Sequence, residues 1–216
     1  FLAARGEHYW VALTCLVFAS GNELWVSACK IIWCAIWFWA ATSKINHHFP
    51  SVIQVMMTNG PFFPRFLKKR LFVNYPDDLR PSLFASAMAK MGTFTEYMIP
   101  VMLLSSESMA FTALVLVVMF CFHSFIALNN PSGMPIEWNI LMVWGGIFLF
   151  GFHPEASVLA IGSMPALALF LFVFLFAIPC YGNFVPSRVS FLMSMRYYAG
   201  NWAYNVWLFR KGSTAK

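Results

Sequence analysis

Trp25–Thr42 reads WVSACKIIWCAIWFWAAT, eighteen residues that hold four tryptophans and a single charge, Lys30. As a helix rising about 1.5 Å per residue, this run comes close to the ~30 Å hydrocarbon core of a bilayer, which takes about 20 residues to cross. It is the first convincing membrane span of the chain. Leu83–Leu104 reads as the second and carries Lys90 and Glu96. The polar turn Ser105–Ser108 leads into Met109–Leu128, the third. Asn129–Glu137, with two prolines and a glycine, reads as a loop. Trp138–Phe152 is a short fourth span closed by His153–Pro154. Met164–Tyr181 is the fifth: Pro165 fits a first helical turn, whereas Pro179 is expected to end or kink the helix. His8–Ala19 is apolar but short, either a truncated span or a helix lying in the interface.

Composition supports this reading. The 216 residues are 60% hydrophobic, 19% aromatic and 10% charged, with a mean hydropathy of +0.68. A soluble domain carries about 25% charged residues, so this surface is expected to face lipid. The expected fold is an all-α, multi-pass transmembrane helix bundle of five to six spans with interfacial amphipathic helices. Residues 1–216 are expected to form a single integral membrane domain. No internal repeat of the transporter kind is visible. The chain opens at Phe1 and not at a methionine, which leaves room for residues ahead of it. No signal peptide is expected, because the first apolar run has no cleavage site after it.

The formal charge of +6 does not point to nucleic acid, because the bases lie in short stretches between apolar runs. Residues 44–82 form a basic interfacial loop with six bases (Lys44, Arg65, Lys68, Lys69, Arg70 and Arg80) against Asp77 and Asp78. Residues 184–216 form a basic, aromatic interfacial tail holding Arg188, Arg196, Arg210, Lys211 and Lys216 with no acid. Together the two segments contain 11 of the 14 lysines and arginines, and the span assignment puts both on one side of the membrane. Lys/Arg bias sets orientation, so that side is expected to be cytoplasmic, in the inner (plasma) membrane of a bacterium. Aromatic rings favour the headgroup depth and bases there attract anionic lipid. Membrane lipids are therefore the expected partners of these segments, with a partner-protein surface as the competing reading.

A charge near the middle of a membrane helix costs about 2.5 to 3.5 kcal/mol on insertion scales, so it usually faces a partner or a cavity. Lys30, Lys90, Glu96 and His123 are the candidates. Lys90 and Glu96 are six apart, too far round one helix to pair, which makes Glu96 with Lys30 on the neighbouring span the attractive pair. Such a pair either fixes helix packing or marks a functional site. Lys44 ends the first span and reads either as a lysine snorkelling to the interface or as a base or nucleophile, since desolvation loosens a lysine's proton. His123 needs a hydrogen-bond partner, a cavity or a metal. A satisfied structural histidine, a pocket residue and a haem ligand are the three options. No metal site is expected from His47–His48, because adjacent side chains on a helix diverge. Five histidines without an HxxxH argue against a di-iron membrane hydroxylase or desaturase, which needs many in clusters. Cys15, Cys29, Cys34, Cys121 and Cys180 lie in apolar stretches and read as small hydrophobes.

The stretch Trp37–Phe49, WFWAATSKINHHF, resembles a motif of the HTTM and vitamin K-dependent gamma-carboxylase superfamily. In that superfamily an aromatic span ends in a small-residue step followed by Lys, an aliphatic residue and Asp or Asn. Lys44-Ile45-Asn46 matches the step, Thr95-Glu96 resembles the acidic residue that opens a span, and Phe122-His123 resembles a Phe-His pair late in one. The short apolar run ending near His153-Pro154-Glu155 is similar too. The resemblance covers residues 25–155 and implies a catalytic base at Lys44 with His123 beside it. A gamma-carboxylase also has a large soluble β-rich domain and a lumen-facing lysine. Nothing here could form such a domain, and the charge bias puts Lys44 on the cytoplasmic face. Arg196–Trp202, RYYAGNW, resembles an uncharacterised bacterial membrane-protein family related to HTTM proteins.

Two functions fit. In one, the bundle binds a lipid-like or quinone-like molecule in an intramembrane pocket built on Lys44, Glu96 and His123. In the other, the chain is a non-catalytic accessory subunit of a larger membrane complex. The sequence names no cofactor. The topology is testable at once: cysteines introduced at Lys69 and Lys211 should stay unlabelled when intact cells meet a membrane-impermeant maleimide, and strong labelling at either would overturn the orientation.

Overall fold

The computed structural model describes residues 7–19, 24–61, 63–129, 137–185 and 188. The chain runs through α1 (Glu7–Phe18), α2 (Leu24–Ser43), α3 (Phe49–Asn59) and α4 (Arg65–Arg70), then a hairpin of β1 (Phe72–Asn74) and β2 (Asp78–Pro81). It continues as α5 (Leu83–Leu104), α6 (Met109–Asn129) and α7 (Glu137–Gly146), then α8 (Pro165–Phe172) and α9 (Ile178–Phe184). A π-helical stretch, Ile147–Phe152, prolongs α7; a 3₁₀ segment, Val158–Ser163, precedes α8; and a second π stretch, Val173–Ala177, joins α8 to α9. Most of the tail 184–216, including the RYYAGNW motif, lies outside the described residues.

Among the described residues three helices are long and apolar enough to cross a membrane: α2, α6 and the continuous Pro165–Phe184. The all-α class is as expected, and of the five to six spans expected, three meet that length and hydropathy among the described residues. α1 has 12 residues, about 18 Å at helical rise, and packs Val11, Cys15 and Ala19 into the core. Asn139–Phe152 is apolar but short. α5 is long enough, yet Lys90, Thr93, Thr95 and Glu96 make its middle polar.

α2 is the central element. Of its most apolar stretch 56% is buried, against 22% for α6 and for α8–α9. The outer helices instead expose Leu114, Val117, Phe120, Leu169, Phe172 and Phe176. A helix on a water-facing surface shows polar residues outward; these show hydrocarbon, as lipid-facing helices do. α7 comes close to α2 at Gly146, where an added Cβ would lie 2.8 Å from the Met119 sulfur and 3.0 Å from the Trp33 ring.

α5 does not lie level with α2. Tyr97 hydrogen-bonds Thr42 at 2.8 Å, so the fifteenth residue of α5 meets the last turn of α2. The part of α5 ahead of Tyr97, about 20 Å at helical rise, therefore runs beyond the end of α2. There Ala85 and Ala89 pack against Phe49, Ile53, Met57 and Leu71 in a second core. α3 crosses the end of the bundle. It starts just past α2, and at its far end Gly60 lies so close to the Asn129 amide at the end of α6 that a Cβ would collide with it. The expected basic loop 44–82 is thus a folded platform of two helices and a hairpin.

Two tryptophans of α2 tie neighbouring helices to it. Trp33 Nε1 donates to Met142 O at 3.0 Å, and Trp39 Nε1 donates to Leu175 O at 2.7 Å. The second bond answers a covalent fact: the α-helical donor to Leu175 O would be residue 179, a proline without an N–H. The helix widens into its π stretch and continues to Phe184, so Pro179 does not end it. Trp39→Phe should remove this bond and cost about 1 kcal/mol. In a Pro179→Ala background, where residue 179 can donate, the cost should shrink; thermal unfolding of the four proteins in detergent measures the coupling.

Candidate functional site

The first layer of the site comes from the end of α2. Asn46 closes α2 and opens α3 together: its Nδ2 donates to Ser43 O at 2.8 Å, while its Oδ1 accepts from the His48 and Phe49 amides, each at 2.8 Å. This turn fixes Lys44 at the junction. The Lys44 ammonium pairs with Glu96 Oε1 on α5; Glu96 is buried and the Lys44 side chain is 11% exposed, so the pair is largely shielded. The Phe49 ring lies 5.7 Å from the ammonium. One turn beyond Glu96, Pro100 sits inside α5, so the Glu96 carbonyl has no donor four residues on.

The second layer comes from α6 and α7. His123 is buried at 8% exposure, stacks edge-on to Trp37 with centroids 5.0 Å apart and meets Asn139 Oδ1 through Nδ1 at 2.9 Å. An amide oxygen accepts, so Nδ1 carries the proton and Nε2 presents a lone pair. Trp37 and Lys44 are seven residues apart, on one side of the chain at the end of α2, so the His123–Trp37 contact lies about two helical turns from the ion pair. Three buried atoms of this group have no hydrogen-bond partner among the described residues: Glu96 Oε2, His123 Nε2 and Trp37 Nε1. These residues thus offer an anionic acceptor, a neutral acceptor and a donor, with the Lys44 ammonium on the other carboxylate oxygen of Glu96.

The sequence-based candidates separate. Lys44, Glu96 and His123 gather here, and Lys90 is exposed on α5. The expected pairing of Glu96 with Lys30 is not found. Lys30 sits in the opposite half of α2, where Nζ donates to His153 O and Ala156 O, each at 2.7 Å, beside the Phe150 ring at 5.1 Å. Sequence reasoning missed Trp37, hidden among other tryptophans, and Asn139. Asn139 carried a usable signal, as the one hydrogen-bonding amide in the apolar run 138–152. His47 and His48 are exposed, and among the described residues no group of three or more His, Cys, Asp or Glu is placed to hold a metal.

Apolar outer faces around a core of inward-turned charges define an integral membrane protein built of helices. The whole chain, residues 1–216, matches the family described as transmembrane protein of unknown function (DUF3556), and it belongs to that family. No curated protein and no solved structure matches the chain.

The ion pair yields a prediction of order. Removing one partner of a buried pair strands the other charge and costs about 3 kcal/mol or more, whereas replacing both is far milder. K44M and E96Q should each destabilise the protein by about that amount, and the double variant should lie closer to wild type than either. Thermal or denaturant unfolding in detergent reports the order, and additive losses would contradict it.

Proposed function

We propose that the bundle binds a lipid-like or quinone-like molecule with its polar end at Lys44, Glu96 and His123 and its apolar part among the helices. The observation that carries this reading is the set of three buried, unpartnered polar atoms on three helices: Glu96 Oε2 of the ion pair, and His123 Nε2 and Trp37 Nε1 of two rings in contact. Buried polar atoms are nearly always hydrogen-bonded, and leaving one unpaired costs about 1 to 3 kcal/mol. Three together fit a site whose partner is a bound molecule. A ring or headgroup bearing both hydroxyl and carbonyl oxygens matches two acceptors and a donor. The resemblance of the Lys44-Ile45-Asn46 step to HTTM proteins supports the same residues. Within this reading Lys44 orients the polar end, and His123 Nε2 is the group able to take a proton from it.

The accessory-subunit reading draws on a different observation, the broad apolar faces that α6 and α8–α9 turn outward. One preparation separates the two. Full-length protein purified in mild detergent should carry one isoprenoid or lipid class enriched at least tenfold over the bulk membrane extract, read by mass spectrometry. That enrichment should be lost in His123→Phe and kept in Lys90→Ala. The same lipid profile in wild type, variant and bulk membrane would sink the proposal, and a stoichiometric second protein in its place would favour the subunit reading.

A further inference from the structure

The platform beyond α2 is folded rigidly by its own polar contacts. Gln54 Nε2 donates to Leu71 O at 3.0 Å and Leu79 O at 3.1 Å, which fixes the hairpin on α3. Lys68 Nζ donates to Thr58 O at 2.9 Å, which fixes α4 there too. Ser82 Oγ donates to Arg70 O at 2.6 Å and accepts from Ala85 N at 3.2 Å, capping α5. With these contacts made inward, α4 buries no residue at all.

Its outward side mixes two kinds of group. Phe66 is 64% exposed, Tyr75 51%, Leu79 56% and Leu83 90%. Arg65, Lys69 and Arg70 are exposed among them, with the Lys69 ammonium 6.0 Å from the Tyr75 ring centre. The stretch 63–84 holds five bases against two acids. One of these acids is already taken: Arg80 binds the Asp78 carboxylate through Nη2 at 2.6 Å and Nε at 3.0 Å, which holds that carboxyl down to about 2. Asp78 therefore stays ionised at physiological pH and cancels Arg80, leaving Arg65, Lys69 and Arg70 as the cations on offer.

We propose that α4 and the hairpin form a foot that seats on an anionic phospholipid surface, with Arg65, Lys69 and Arg70 on phosphate groups and Phe66 among the upper acyl carbons. Charge complementarity selects the partner. Position does as well, since α3 spans the ends of α2 and α6 and α4 is bonded to the end of α3, which puts the foot on the side of the bundle where those two spans end. Exposed apolar side chains interleaved with bases are how interfacial segments hold both zones of a leaflet. Each base near such a surface favours anionic lipid about fivefold.

The test uses the full chain in bilayers containing equal phosphatidylglycerol and phosphatidylcholine. First, a photoreactive p-benzoyl-phenylalanine in place of Phe66 should crosslink to phospholipid. Second, native mass spectrometry should find phosphatidylglycerol enriched among retained lipids, and R65E/K69E/R70E should cut that enrichment at least fivefold while R65K/R70K keeps it. Unchanged melting temperatures confirm that both variants fold. Crosslinks running only to protein, or an enrichment that charge reversal leaves intact, would each overturn the proposal; the first would indicate an acidic protein partner at the foot.

Discussion

A hydrogen-bonding group inside hydrocarbon has no water to turn to, so the protein itself must satisfy it. α2 is organised around that constraint. It carries a lysine, two buried serines and a run of indoles through the middle of the bundle, and four of its side chains reach across to neighbouring segments. Lys30 ends on two carbonyls of the turn after α7's extension, Trp33 on α7, Trp39 on the π stretch before α9, and Thr42 on α5. These bonds tie the outer helices to α2 in addition to packing, and the opposite faces of those helices are apolar. Against this pattern Trp37 differs, since its donor finds no protein acceptor among the described residues.

The second organising element is the platform. Packing of Ala85 and Ala89 on α3 draws the first half of α5 past the end of α2. That displacement brings Glu96 level with Lys44, and Pro100 one turn further on disturbs the backbone at the same level. The candidate site is therefore a product of how far one helix slides along another, and the sliding is set outside the apolar zone.

This explains which features could be read from the residues alone. Leu83–Leu104 is the helix expected, to the residue, and α2 and α6 differ from expectation only by a residue or so at their ends, because hydropathy and capping are local. The pairing of charges is not local. Lys30 and Glu96 stand at matching distances from the ends of their helices, so an in-register antiparallel pair would bring them together. Nothing in either helix reveals that α5 is displaced by more than half its length, since the cause lies in α3 and the hairpin. The persistence of the last helix through Pro179 was hidden for a similar reason: its replacement donor, Trp39, comes from a residue 140 positions earlier.

The Lys30 clamp has a consequence for how the molecule is made. Its acceptors are 123 and 126 residues further along the chain. During synthesis α2 enters the bilayer with its ammonium unmatched, and that charge must reach toward the headgroups until the 153–156 turn has been translated. The bundle's central helix is thus in place early but finished late, and its final seating is timed by the arrival of the C-terminal half. A nascent chain stopped before that turn would present the membrane's quality-control proteases with a charged, unfinished α2, whereas a chain stopped shortly after it would already have closed its centre.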